Sequence, residues 1–143
     1  MAVLPGVFDK MLKPRADVVA VAVVLTATCA CLAVSQRAAR EASVLADLKA
    51  ILDAEKVLYE RERRYGNLEE LDSKGVIDAG LLRAHNRHYR LEVKLNGPAF
   101  EVFATPTKYE RDSKMSFFAD GSGQIRCADT GGAEADVNDP ICD

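Results

Sequence analysis

Four cysteines, two histidines and a run of acids near the C-terminus are the residues with chemical capacity in this 143-residue chain. Cys127 and Cys142 stand in polar surroundings with fourteen residues between them, a placement that predicts a disulfide, with free thiols or metal ligands as the alternatives. Closing such a loop would stabilise the fold by about 3 kcal/mol in the chain-entropy account. Inside it, Asp129, Glu134, Asp136, Asn138 and Asp139 carry side-chain oxygens. Asp129, Asp136 and Asn138 are the candidate calcium ligands, against the plainer reading of a solvated acidic loop. Cys29 and Cys31 lie in an apolar run and read as small apolar residues; neither has the upstream Leu of a lipoprotein signal. His85 and His88 flank Arg87 without further ligands at short range, so they read as surface residues. There is no nucleophile elbow and no Gly-rich phosphate loop, and Asp120-Gly121-Ser122-Gly123 reads as a turn between strands. The expectation is a protein that is not an enzyme and takes no small-molecule substrate, with calcium as the one cofactor candidate.

The elements that would position these residues begin with a membrane question. Nineteen Lys+Arg against 22 Asp+Glu give a formal charge of -3, which argues against a nucleic-acid surface. Hydrophobic residues make up 48% of the chain but aromatics only 6%, and the apolar content is concentrated near the N-terminus. Val18 to Gln36 is uncharged, and as a helix it would span about 28 Å, one hydrocarbon core. A signal peptide is the alternative, with Ala33-Val34-Ser35 as its cleavage site. A retained helix is favoured because the helical pattern continues to Tyr65, with no Gly or Pro between Ala16 and Arg64. The expected organisation is a cytoplasmic segment 1–15, a transmembrane half-helix 16–36 and an exported domain 37–143. Basic residues balance across the run, with Lys10, Lys13 and Arg15 before it and Arg37, Arg40 and Lys49 after. Orientation therefore follows the cysteine pair: a disulfide needs an oxidising compartment, which puts the C-terminal domain outside the cytoplasm.

Beyond the apolar run, Val44, Leu45, Leu48, Ile51, Leu52, Glu55, Leu58 and Tyr59 recur at spacings of three and four, one buried face of an amphipathic helix. Leu45, Leu48, Leu52 and Tyr59 are its expected packing residues. The helix should end near Arg64 with Gly66 as its cap. Asn67 and Glu70 then form a capping box for a short helix that Gly75 stops, and a second turn is expected from Asp78 to Ala84. The period switches to two at Tyr89, Leu91, Val93 and Leu95. Asn96-Gly97 predicts a hairpin into Ala99–Ala104, with Phe100, Val102 and Ala104 on one face. Thr105–Lys114 reads as a polar loop, Met115–Ala119 and Gln124–Cys127 as two more strands, and Ala128–Asp143 as loop. Tyr59, Tyr65, Phe100, Phe103, Phe117 and Phe118 are expected in the core.

This layout, with the stretch from Ser43 to Tyr59, the segment Arg64-Tyr65-Gly66-Asn67-Leu68-Glu69-Glu70-Leu71, and Ser116-Phe117-Phe118-Ala119-Asp120 followed by Gly123-Gln124-Ile125-Arg126, resembles type IV pilins and type II secretion pseudopilins. The resemblance covers most of residues 16 to 127. The family's leader motif is not recognisable: Gly6 is followed by Val7-Phe8-Asp9 and then by basic residues. The resemblance implies an α+β fold, a long N-terminal helix packed on a small antiparallel meander, with a C-terminal disulfide loop. It further implies a structural subunit of a bacterial envelope assembly, held in the inner membrane by one helix and packing against like subunits in a pilus (fimbrium) or secretion-system filament. A membrane-tethered periplasmic binding or adaptor domain that does not polymerise is the alternative.

Overall fold

The structure is a computed structural model that describes residues 16–78, 80–81 and 87–142, with side chains from residue 34 onward. It is α+β. Helix α1 spans Ala16–Glu62 and helix α2 Leu68–Ser73; strands β1 (Tyr89–Asn96), β2 (Ala99–Pro106), β3 (Met115–Asp120) and β4 (Ile125–Asp129) follow. The chain divides into two compact units, Met1–Gln36 and Arg37–Asp143. The first contains the opening turns of α1, and the second contains the rest of α1, α2 and all four strands. Among the described residues no helix is long and apolar enough to cross a membrane. The membrane expectation and Cys29 and Cys31 rest on side chains outside the described residues, as do segment 1–15 and His85. The expected turn over Asp78–Ala84 lies partly outside them too, although Leu81 N–H donates to Asp78 O at 2.9 Å.

Val44, Leu48, Ile51, Glu55 and Leu58, at alternating spacings of four and three, form the buried stripe of α1. The stripe belongs to one core with Leu71, Tyr89, Phe100, Val102, Ala104, Phe117, Ala119 and Ile125, while Leu45 and Leu52 are partly buried at its margin. Tyr59, expected in the core, is 39% exposed. The helix stops at Glu62 because Arg63 adopts a left-handed conformation, φ 57°, its N–H donating to Tyr59 O at 2.9 Å. The capping role expected of Gly66 thus falls to Arg63. Gly66 is needed for space instead: a Cβ there would lie 2.8 Å from Leu58 Cδ2.

Helix α2 is capped as the sequence implies, Asn67 Oδ1 accepting Glu70 N–H at 2.9 Å. At its end Gly75 has φ 65°, Gly75 N–H donates to Asp72 O, and Val76 N–H donates to Leu71 O, the paired bonds of a Schellman motif.

The four strands form an antiparallel meander in the order β1-β2-β3-β4. Asn96 pairs with Ala99, so the hairpin turns on Gly97 and Pro98, not on Asn96-Gly97; Gly97, at φ 63°, supplies the positive φ this tight turn needs. Strand β2 runs two residues beyond the expected end, taking Thr105 and Pro106 out of the predicted loop. Alternation puts Phe100, Val102 and Ala104 toward α1, as expected, yet Phe103 and Thr105 on the opposite face are buried as well. The cover on that face is the C-terminal tail. Ala135 closes a second small cluster with Phe103 and Phe118, and Ser116 Oγ and Thr130 Oγ1 both donate to Ala133 O. Lys94 Nζ sits 4.3 Å above the Phe103 ring and pairs with Glu134 at 2.9 Å.

Candidate functional site

The tail is held by the predicted cysteine pair. Cys127 on β4 and Cys142 are disulfide-bonded, their Cα atoms 5.7 Å apart. Backbone bonds accompany the link: Cys127 N–H donates to Pro140 O and Cys142 N–H to Ile125 O, each at 2.9 Å, and Arg126 bridges Ile141. Arg126 Nη1 also donates to Asp139 O at 2.8 Å.

Two of the candidate calcium ligands, Asp129 and Asp136, accept hydrogen bonds from within the protein. Asp129 Oδ1 accepts the Tyr109 hydroxyl at 2.8 Å and Gly131 N–H at 3.3 Å; the Tyr109 bond holds the Asp129 carboxyl below its ordinary range. Asp136 Oδ1 accepts Asn138 N–H at 2.7 Å, and Asp136 N–H donates to Asp139 Oδ2 at 2.8 Å. These are turn-forming bonds of the kind Asp and Asn make in loops. Among the described residues no three His, Cys, Asp or Glu side chains gather as a metal site.

Two polar constellations went unread in the sequence. In the first, Asp112, 5% exposed, lies between Arg40 of α1 (3.8 Å) and His88 Nδ1 (3.2 Å). Arg40 Nη1 also donates to the carbonyls of Arg111 and Asp112. Beside it the fully buried Ser113 hydroxyl donates to Glu41 and accepts Met115 N–H at 3.0 Å. Arg40 and Glu41 thus fasten α1 to the β2–β3 connection. His88, its side chain 41% exposed, is at the surface as expected and makes the Asp112 contact as well. Nothing local in the sequence marks the partners, which lie some seventy residues apart.

The second constellation centres on Glu55. It is fully buried within the apolar stripe; Oε2 accepts Gly66 N–H at 3.0 Å, and Oε1 has no partner among the described residues. Burial pushes its carboxyl up to about 7, the Gly66 bond opposing the shift and Glu70 adding to it. Its place on the buried face of the helix was legible from the spacing; its bond to Gly66 was not.

Next to this junction Tyr59 stacks on Tyr65, centroids 4.9 Å apart, and Tyr65 on Phe100 at 4.5 Å. The packing residues inferred from sequence therefore separate: Leu48 is core, Leu45 and Leu52 are marginal, and Tyr59 belongs to a surface aromatic column.

Compared with known protein families, characterised proteins and solved structures, the chain matches none of them.

Proposed function

We propose that this chain is a structural subunit of a bacterial envelope assembly, pilin-like or pseudopilin-like, and that it works by helix packing and not by catalysis. The observation that carries the reading is the pairing of a helix seated by one stripe on an antiparallel meander with a tail stapled over the meander's other face. Support also comes from the face of α1 turned away from the core, where Ala42, Ala46 and Ala50 are exposed at four-residue spacing, small enough for a neighbouring helix to approach closely. The uncharged run from Val18 to Gln36 and the oxidised cysteine pair together favour an inner-membrane anchor with the C-terminal domain outside the cytoplasm.

The test is site-directed cross-linking in cells. Cysteine pairs placed at Ala42 and Ala46 should give ladders of cross-linked subunits, and Val24→Lys should abolish the ladder by placing a charge in the apolar run. Monomer alone, with the protein inserted and oxidised, would overturn the assembly reading and leave the tethered adaptor domain in its place. A cleft between α1 and the β3–β4 turn is the observation that favours that second reading.

A further inference from the structure

A half-open cleft of about 220 Å³ separates the outer side of α1 from the β3–β4 turn. Its apolar lining is the aromatic column, Tyr59, Tyr65 and Phe100, continued by Leu52. On the turn side the lining includes Gly121 and Gly123. A Cβ on Gly121 would only reach ordinary contact with Phe100, and one on Gly123 would meet nothing, so much of this wall is bare backbone. Asp53 and Lys56 from α1 and Asp120 and Ser122 from the turn complete the lining. Asp53 and Lys56 are exposed and make no ion pair among the described residues. Asp120 Oδ1 accepts Ser122 N–H at 2.9 Å, which leaves its other oxygen uncommitted among those residues.

This lining selects a ligand class by exclusion. An anion would face two carboxylates, and an organic cation would share the cleft with the Lys56 ammonium. A purely apolar ring would strip water from three charged groups without giving them hydrogen bonds, which is costly. A flat ring with an apolar face and hydroxyls around its edge meets every part: C–H groups against the tyrosines, hydroxyls donating to Asp53 and Asp120 and accepting from Lys56. The volume equals that of about seven water molecules, room for one such ring. We propose that the cleft formed by the Tyr59–Tyr65–Phe100 column, Asp53, Lys56 and the 120–123 turn is a carbohydrate site that takes a single pyranose residue of a glycan. This departs from the expectation that the chain takes no small molecule, and it stands whether or not the chain assembles.

The experiment is saturation-transfer NMR on the detergent-solubilised full chain with the methyl glycosides of glucose, galactose, mannose and N-acetylglucosamine. At least one should bind saturably with a Kd on the order of millimolar, as befits a small ligand in an open cleft. Tyr59→Ala should weaken it at least tenfold and Asp53→Asn three- to tenfold, both side chains being exposed on α1. Near-UV circular dichroism confirms that each variant is folded, and Lys56→Met supplies a further reading if Tyr59→Ala is not. Absence of transfer to all four glycosides at 20 mM overturns the proposal. So does binding undiminished by these substitutions, or saturable binding of tetramethylammonium or benzoate at this cleft in place of the glycosides.

Discussion

Glu55 and Gly66 are joined by one hydrogen bond, 3.0 Å from the amide nitrogen to Oε2, which ties the interior of α1 to the segment leading into α2. The acid reaches past the end of its own helix, so the reversal at Arg63 is held from inside as well as by its local bond. A buried carboxylate with one oxygen unpaired is costly when charged, and that cost sets the pH behaviour of the fold.

The folded-state value of Glu55, about 7, lies above the ordinary 4.5, and that of Asp47, about 6, lies above 3.8, both raised by burial. Groups shifted upward contribute stability in full below their unfolded values, and that contribution disappears as pH rises through the folded ones. Stability should therefore fall between pH 5 and pH 8. Glu55→Gln keeps an acceptor for Gly66 N–H and removes the charge, so it should flatten the profile and gain about 2 kcal/mol at pH 8. Denaturant unfolding at pH 5, 7 and 8 reads this directly; equal slopes for the two proteins would refute it.

Gly66→Ala should destabilise the protein by about 1–3 kcal/mol, because the new methyl meets Leu58 Cδ2 at 2.8 Å and Glu70 Oε2 at 3.0 Å. The Glu70 side can give way; the buried leucine cannot move without opening the core. A drop in Tm with an unchanged far-UV spectrum is the expected result, whereas Gly75→Ala should act through strain at φ 65° with no clash at all.

How much of this was readable in the sequence depends on whether the cause is local. The first strand announced itself by alternation, and the helix stripe by its period, because burying one face leaves a pattern in neighbouring residues. Phe103 is buried, as expected of a core aromatic, but in a second cluster on the face away from α1, where Ala135, thirty-two residues on, packs with it. The tail's composition is that of a loop, and composition does not say which surface a loop covers. The hairpin moved by one residue because Pro98, with its fixed φ, suits the second central position after a glycine. Of the candidate sites, the disulfide was legible from spacing. The Asp112 and Glu55 constellations were not, since each joins residues whose partners are chosen by the tertiary fold.

Asp112→Ala should cost about 2–4 kcal/mol, since it leaves Arg40 without its acidic partner at a largely buried position. Ser113→Ala removes a bond to Glu41 and one from Met115 N–H and should cost about 1–2 kcal/mol. Both sites fasten α1 to the β2–β3 connection, so a double-mutant cycle should show coupling between Ser113→Ala and Arg40→Met; strict additivity would mean the two contacts act independently.

Replacing Cys127 and Cys142 by Ser should lower stability by about 3 kcal/mol and release the tail. Hydrogen exchange should then accelerate first at the amides of Cys127 and Cys142, whose bonds to Pro140 and Ile125 depend on the link. Protection of those amides unchanged in the variant would show that the tail is held by its other contacts alone.

The Arg126–Ile141 bridge also decides how the sheet ends. A terminal strand offers a row of unpaired amides and carbonyls on which foreign chains can grow. On one side of this sheet that row is β1, where Arg90, Glu92 and Lys94 place alternating charges that discourage stacking. On the other, β4 carries Arg126 and Asp129, and the stapled tail lies against its margin, Ile141 bridging Arg126. The covalent link thus holds the tail beside that margin. A reducing environment would expose a sticky margin before it unfolded the core, making aggregation the first symptom of disulfide loss.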